Sequence, residues 1–593
     1  MTFSIELNPI VSSVAALVVP WVFAVPAMAE TNLFVSYPPN NHQTSADRIF
    51  IIGTAGADGD VFVNGNPIDR SPAGHFAPSF PLQVGENQFE VRYGDRSISL
   101  TVMRQSLQPT VTGQLGFGSI EPSVDIARMP GELVCFNAVA LASATTSALV
   151  RLGNRTVSLL PDIHANDLPS NLAVLVGQNQ PIPPTASMMT YRGCTQFETA
   201  GNWGTPVFEL QANGQLISQP GSGSIEILSP DTINVAEVVV EGGVARTGPS
   251  TSYSRLTPLP KGAQAQITGR EGEWVRLDYG AWIRAEEVEV LRRGVPPRSI
   301  VRSVSARHGA RWTDVFFPLQ TPVPVSIEQE DDTLILTLHN TTAQTDFIAF
   351  DADPWVERMT WQQVSPTEAQ YRFHFRSSQQ WGYKLRYDNT TLVLSLRHPP
   401  SFSPATLPLS GVTLVLDPGH GGPEDLGARG PTGTPEKEVV LAVSLLLRDE
   451  LERRGARVVM TREDDIDLWP HDRVQIIEKV EPDLALSLHY NALPDNGDAE
   501  NTAGIGTFWY HPQSHDLAVF LYRHLVSDLS RPEYGVFWAN FALTRPSVAP
   551  SVLLELGFLI NPDEFEWIVD SQAQQALALS LAEGIEAWVA EHR

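Results

Sequence analysis

The sequence predicts a multidomain chain, with β-rich modules over roughly the first two thirds and a C-terminal α/β domain. That last domain is expected to hold a mostly parallel sheet with helices on both faces. Three observations predict this. Up to about residue 400, short apolar runs alternate with Gly, Pro and Asn-Gly turn signals. A Pro-rich stretch, "PPSFSPATLPLSG", then interrupts the pattern with residues that fit neither a helix nor a central strand. From Gly411 onward, apolar strands alternate with amphipathic helices.

At 593 residues the chain is too long for one core, and roughly three to five domains are expected. A hydrophobic content of 42% against 18% charged residues describes globular material rather than disorder. The formal net charge of −27 argues against a nucleic-acid partner. It also means that bulk electrostatics would not draw the chain onto an anionic surface, so any such attachment needs specific sites.

Residues 1–29 read as a secretory signal peptide. The apolar run "IVSSVAALVVPWVFAVPAMA" ends in the small-x-small pattern Ala27-Met28-Ala29 before Glu30. Its n-region carries no Lys or Arg, and an uncleaved membrane anchor is the alternative. Either way the chain is expected to be exported, to the periplasm or cell envelope. Export would place Cys135 and Cys194 in an oxidising compartment, where a disulfide worth roughly 4 kcal/mol competes with two buried free thiols.

Residues 31–104 contain "DVFVNGNPI", whose Asn64-Gly65 suits a type I′ hairpin, and the strand pair "NQFEVRYGDRSISLTV". This pattern resembles a bacterial immunoglobulin-like sandwich. Residues 105–230 continue in β style and hold both cysteines. Residues 232–292 include "RTGPSTSYSRLTPLPKG", "EGEWVRL" and "GAWI", which resemble the bacterial SH3-like domain. Trp274 and Trp282 fall inside apolar strand patterns and are expected in its core, leaving Tyr253 and Tyr279 as surface candidates. Residues 298–398 end in "WGYKLRYDNTTLVLSLRH", with Tyr383, Leu385 and Tyr387 on one face and a turn at Asp388-Asn389; this segment resembles the AMIN domain. Residues 399–410 are the Pro-rich linker, and 411–593 the α/β domain.

In an open α/β sheet, functional residues gather at the carboxyl ends of strands. His420 follows the strand "VTLVLD", Glu436 opens the helix "EKEVVLAV", and His489 ends "DLALSLH". Each alone has a structural reading: a turn cap, a helix-dipole partner, a satisfied core histidine. Glu555 changes the balance, because it interrupts the apolar strand of "SVLLELGF", where an uncompensated carboxylate costs several kcal/mol or is protonated. Two histidines and a carboxylate form a ligand set for catalytic zinc, and a further carboxylate can serve as general base or acid.

Four blocks in order, "LDPGHGG", "GARGPTGTPEKEVVLAV", "SLHYNA" and "VLLELGFLINPDE", resemble the zinc-dependent N-acetylmuramoyl-L-alanine amidases of the type-3 family. The resemblance implies one Zn²⁺ bound by His420, Glu436 and His489, with Glu555 as the catalytic glutamate and peptidoglycan as substrate. Asn491 matches a family block as well, where the usual "HANA" is "HYNA". The segment "PEDL" is one residue longer than the family's, so Glu424 and Asp425 both stand for the family's Asp; Asp425 is carried forward as a supporting residue. "LPDNGDAENTA" leaves no room for the long helix with which some members occlude the metal, so none is expected over His489. A serine hydrolase would need a G-x-S-x-G elbow, which this domain lacks. A zinc peptidase acting within the stem peptide and a non-catalytic wall-binding scaffold are the remaining alternatives. Oligomeric state leaves no trace in the sequence.

Overall fold

The computed structural model describes residues 33–105, 117–141, 145–163, 168–169, 171–177, 179–180, 188–212, 214–350, 353–400 and 407–592. The signal-peptide segment and part of the Pro-rich linker lie outside these residues.

The upstream chain is β throughout its long elements. Residues 33–104 form small sheets around a core that includes Ile49, Val61, Phe76, Val91 and Val102. The hairpin closes at Asn64 and Gly65, both at positive φ, as a type I′ turn requires. The next region builds a seven-stranded sheet in which Cys135 and Cys194 face each other across antiparallel strands Leu133–Leu141 and Met188–Gln196, joined by a disulfide. The following eight-stranded sheet takes strands from both sides of residue 230: Ile126–Arg128 pairs with Gln264–Glu271, so the two segments are hydrogen-bonded to one another. Trp274 and Trp282 are buried there and Tyr253 is exposed. Tyr279 is not a surface platform; its ring is half-buried and stacks on His339 of the next unit, 4.5 Å between centroids.

Residues 299–397 form two sheets, of five and four strands, packed around Val315, Phe317, Leu336, Tyr371 and Leu394. Their core is continuous with that of the α/β domain, and Trp381 meets Trp588 edge to face. Buried Arg397 also reaches Asp483 at 2.5 Å, and Lys384 reaches Glu481 at 2.6 Å.

In the α/β domain we label β1 (Thr413–Pro418), α1 (Glu436–Arg453), β2 (Arg457–Met460), α2 (Pro470–Val480), β3 (Leu484–Asn491), β4 (Ile505–Trp509), α3 (His515–Leu529), β5 (Glu533–Trp538), β6 (Ser551–Phe558), α4 (Pro562–Val569) and α5 (Ser571–Glu591). Sheet order is β2-β1-β3-β6-β4-β5; all neighbours run parallel except β4 with β6. Leu414 and Leu416 point to the face covered by α1, α3 and α5, while Val415 packs with Ile477 of α2 on the other. Helices therefore lie on both faces. The edge strand β5 is not legible in the sequence, because Gly535 splits "EYGVFW" and the strand is only partly buried.

Residues 492–504, between β3 and β4, form turns and no helix. The first β unit packs on this loop instead. Phe50, Ile52 and Ala77 bury against Leu493 and Ala499, and Asp495 is hydrogen-bonded by Tyr37 and by His42.

Candidate metal centre

β1 ends at Pro418 and the chain turns sharply through Gly419 and His420. His420 sits at φ 57, a left-handed conformation that His adopts more readily than most residues. The turn is held from behind by two buried arginines. Arg473 of α2 donates to the carbonyls of Pro418 and His420, both at 2.6 Å, and Arg462 donates to those of Pro418 and Gly419. Arg473 also pairs with Asp417 at 2.7 Å, whose other partners are Thr461 and Ser487. None of this support stood out in the sequence. The available signal was Arg473 itself, which shares with Ile477 the buried face of α2.

Glu436 is the first residue of α1 and is almost fully buried. Its backbone N–H donates to Ala428 O, and its Oε2 accepts from Ala428 N at 2.9 Å, so its rotamer is fixed. Oε1 lies 3.0 Å from His489 Nδ1, and Oε2 lies 3.2 Å from His420 Nε2. His420, Glu436 and His489 each offer a ligand atom within 4.8 Å of the others, and the two rings stand nearly perpendicular. The other nitrogen of His420, Nδ1, meets Asp425 Oδ1 at 2.6 Å. Of the two carboxylates in "PEDL", it is therefore Asp425 that reaches His420; the Glu424 backbone N–H instead points to Asp467.

The charges reinforce the grouping. Burial would lower the His420 pKa, but Glu436 and Asp425 outweigh it and raise it to about 9. Burial would raise that of Glu436, yet the two histidines hold its carboxyl well below the usual range. Glu555 stands beside His489 in the register of β3 and β6. Burial, helped by the Glu436 charge, pushes its pKa well above the ordinary value. Its Oε2 is buried and, among the described residues, has no hydrogen-bond partner. Asn491 is buried too: its Oδ1 accepts from Ala492 N, and its Nδ2 is unpartnered.

Space at the site is tight. A Cβ on Gly419 would lie 2.2 Å from His489 Cε1 and 2.5 Å from its Nε2. Gly419→Ala is expected to displace the His489 ring and cost about 1–3 kcal/mol, read as a lower melting temperature.

Two imidazoles, one buried carboxylate that touches both, and an acid partner behind one imidazole make a donor set suited to a divalent ion such as Zn²⁺. The unpartnered Oε2 of Glu555 beside them marks a carboxylate that the protein fold alone does not satisfy. Fold and site together place a candidate metal centre at the carboxyl ends of a mostly parallel sheet.

The chain belongs to the N-acetylmuramoyl-L-alanine amidase family, which matches residues 414–587. The germination-specific N-acetylmuramoyl-L-alanine amidase of Bacillus subtilis is 34% identical over 207 residues, 31% of this chain and 83% of that protein. The probable cell wall amidase LytH of Staphylococcus aureus is 34% identical over 181 residues, 30% of this chain and 59% of its own length. Among solved structures, the N-acetylmuramoyl-L-alanine amidase of Clostridium difficile 630 is 29% identical, covering 31% of this chain and 98% of its own, with a TM-score of 0.29. AmiC2 of Nostoc punctiforme is 30% identical, covering 30% and 99%, with a TM-score of 0.29.

Proposed function

We propose that this protein is a peptidoglycan hydrolase that cuts the amide between the N-acetylmuramoyl lactyl group and the L-alanine of the stem peptide. The observation that carries the reading is the convergence of His420, Glu436 and His489, with Glu555 on the neighbouring strand. His420, Glu436 and His489 would hold one Zn²⁺, which supplies Lewis-acid activation of the amide carbonyl and of water. Glu555 takes the proton from the attacking water and returns it to the leaving L-alanine amine. Its raised affinity for a proton, from burial and from the Glu436 charge, suits both halves of that transfer.

Asp425 fixes which nitrogen of His420 faces the metal. Asp425→Asn is expected to weaken metal retention about 10–100-fold, and Glu424→Gln to leave it unchanged. Metal content of the purified variants after dialysis against graded chelator measures this; equal retention in the two would remove Asp425 from the site.

The upstream segments are read as an immunoglobulin-like unit, an SH3-like unit and an AMIN-like unit that carry the enzyme to the wall. The Cys135–Cys194 disulfide supports action in an oxidising, exported location, and the cell wall relatives support the envelope. Among the described residues no helix is long and apolar enough to cross a membrane. Purified protein should contain close to one zinc per chain and lose hydrolysis of soluble muropeptides on chelation; a metal-free chain that still hydrolyses them would contradict the assignment.

A further inference from the structure

A groove of about 1640 Å³ opens where three parts of the chain meet, between residues 241–260, 307–395 and 469–548. That volume exceeds the roughly 300–1,000 Å³ typical of small-molecule sites. Its walls carry six cations: Arg255, Arg307, Arg311, Lys384, Arg386 and Arg545. The acids lining it are Glu241, Asp314, Glu328 and Glu478; Arg307 is paired with Asp314, and Arg311 and Lys384 with Asp483 and Glu481 just outside the lining. Among the described residues that leaves Arg255, Arg386 and Arg545 without an ion pair, in a chain of net charge −27.

The excess concentrates at one point. Arg255 makes no side-chain hydrogen bond or ion pair among the described residues, and Arg545 reaches only the carbonyl and side-chain oxygens of Asn540, at 3.2 Å each. Neither has a carboxylate within ion-pair distance. Behind them Arg246 is 7% exposed, bonded to the carbonyls of Thr251 and Tyr253, with its Nε buried and unpartnered. Burial, together with the charges of Arg255 and Arg246, lowers the Arg545 pKa to about 10. Cations that share a groove wall without carboxylate partners favour an anionic ligand there.

Flat aromatic faces accompany the cations. Of the tryptophans in the described residues, Trp361, Trp469 and Trp538 are more than a third exposed, and the last two line this groove. Trp538 stacks on Tyr510, which lines the groove with Arg255 and Arg545. Trp469 lies two residues beyond Asp467, which accepts the Glu424 backbone N–H, so the groove begins beside the turn that carries His420.

Resting on the amidase reading, we propose that this groove binds the carboxylate-bearing peptide–glycan polymer at a distance from the bond that is cut, with Arg255 and Arg545 taking a carboxylate and Trp469 and Trp538 the polymer's ring and chain faces. Guanidinium forks pair with carboxylates in two parallel hydrogen bonds, which the free donors of Arg255 can supply. The groove's volume fits a segment of polymer better than a single small acid.

The test is co-sedimentation of the full chain with purified sacculi, every protein carrying Glu555→Gln so that no cleavage intervenes. Arg255→Ala/Arg545→Ala should raise the apparent Kd about tenfold or more, while Arg457→Ala, an exposed cation on β2 away from the groove, should bind like its parent. Sacculi whose carboxylates are capped as amides should bind the parent as weakly as native sacculi bind the double variant. A double variant with unchanged melting temperature that sediments like its parent overturns the proposal. So does equal binding of capped and native sacculi, an arm that needs no variant to fold. Binding through these arginines, together with a chain retaining Glu555 that releases no L-alanine amine from the same sacculi, would instead overturn the amidase reading alone.

Discussion

Glu555→Gln should lower the rate of muropeptide hydrolysis by about 10²–10⁴-fold while leaving the bound metal in place. Glutamine keeps the size and one oxygen of the side chain but cannot accept and return a proton. The change should not weaken the fold. Glu555 Oε2 is buried without a hydrogen-bond partner, and the carboxyl is held in a neutral-favouring environment by burial and by Glu436. Glutamine puts a neutral group of similar shape where the carboxyl already favours its neutral form, so the melting temperature should be about equal or higher. Loss of activity with a stable, metal-loaded protein separates chemistry from folding. A variant that hydrolyses at the parent rate would take Glu555 out of the mechanism.

Arg473→Ala should have the largest effect on stability, about 3–5 kcal/mol, because it leaves Asp417 in the core with two hydroxyl partners but no cation. Asp417 is 1% exposed, and burial alone would raise its pKa; Arg473, Ser487 and Thr461 more than offset this and hold it below the usual value. A carboxyl with a depressed folded pKa contributes stability above its unfolded pKa, near 4, and loses it as pH falls through the folded value. The gap between wild type and variant should therefore persist at neutral pH and narrow only in acid. Arg473→Lys should not restore stability, since one ammonium cannot reach Asp417 together with the carbonyls of Pro418, His420 and Leu468. Thermal melts across a pH series measure this. The variant should also retain less metal, because the turn carrying His420 loses its support.

What was legible in the sequence follows from where chemistry meets strand ends. His420, Glu436, His489 and Glu555 each break an apolar pattern or open a helix, and a polar residue in such a place is visible without coordinates. The choice between Glu424 and Asp425 was not, because it depends on which side chain the extra residue swings toward His420. Arg462 and Arg473 were hidden for a different reason: their partners are backbone carbonyls more than forty residues away, which no local pattern encodes. The same holds for the groove of cations, assembled from three distant segments, and for the strand pairing across residue 230. Only the alternation of strand and turn was readable upstream, and it says little about which sheets join.

The most direct test of the central claim is mass spectrometry of the products released from sacculi by the zinc-loaded chain, with and without chelator. Intact stem peptides bearing a new L-alanine amino terminus, together with peptide-free muramyl glycans, are expected, and both should vanish on chelation. Stem peptides cut internally while the muramyl–L-alanine bond survives would contradict the account.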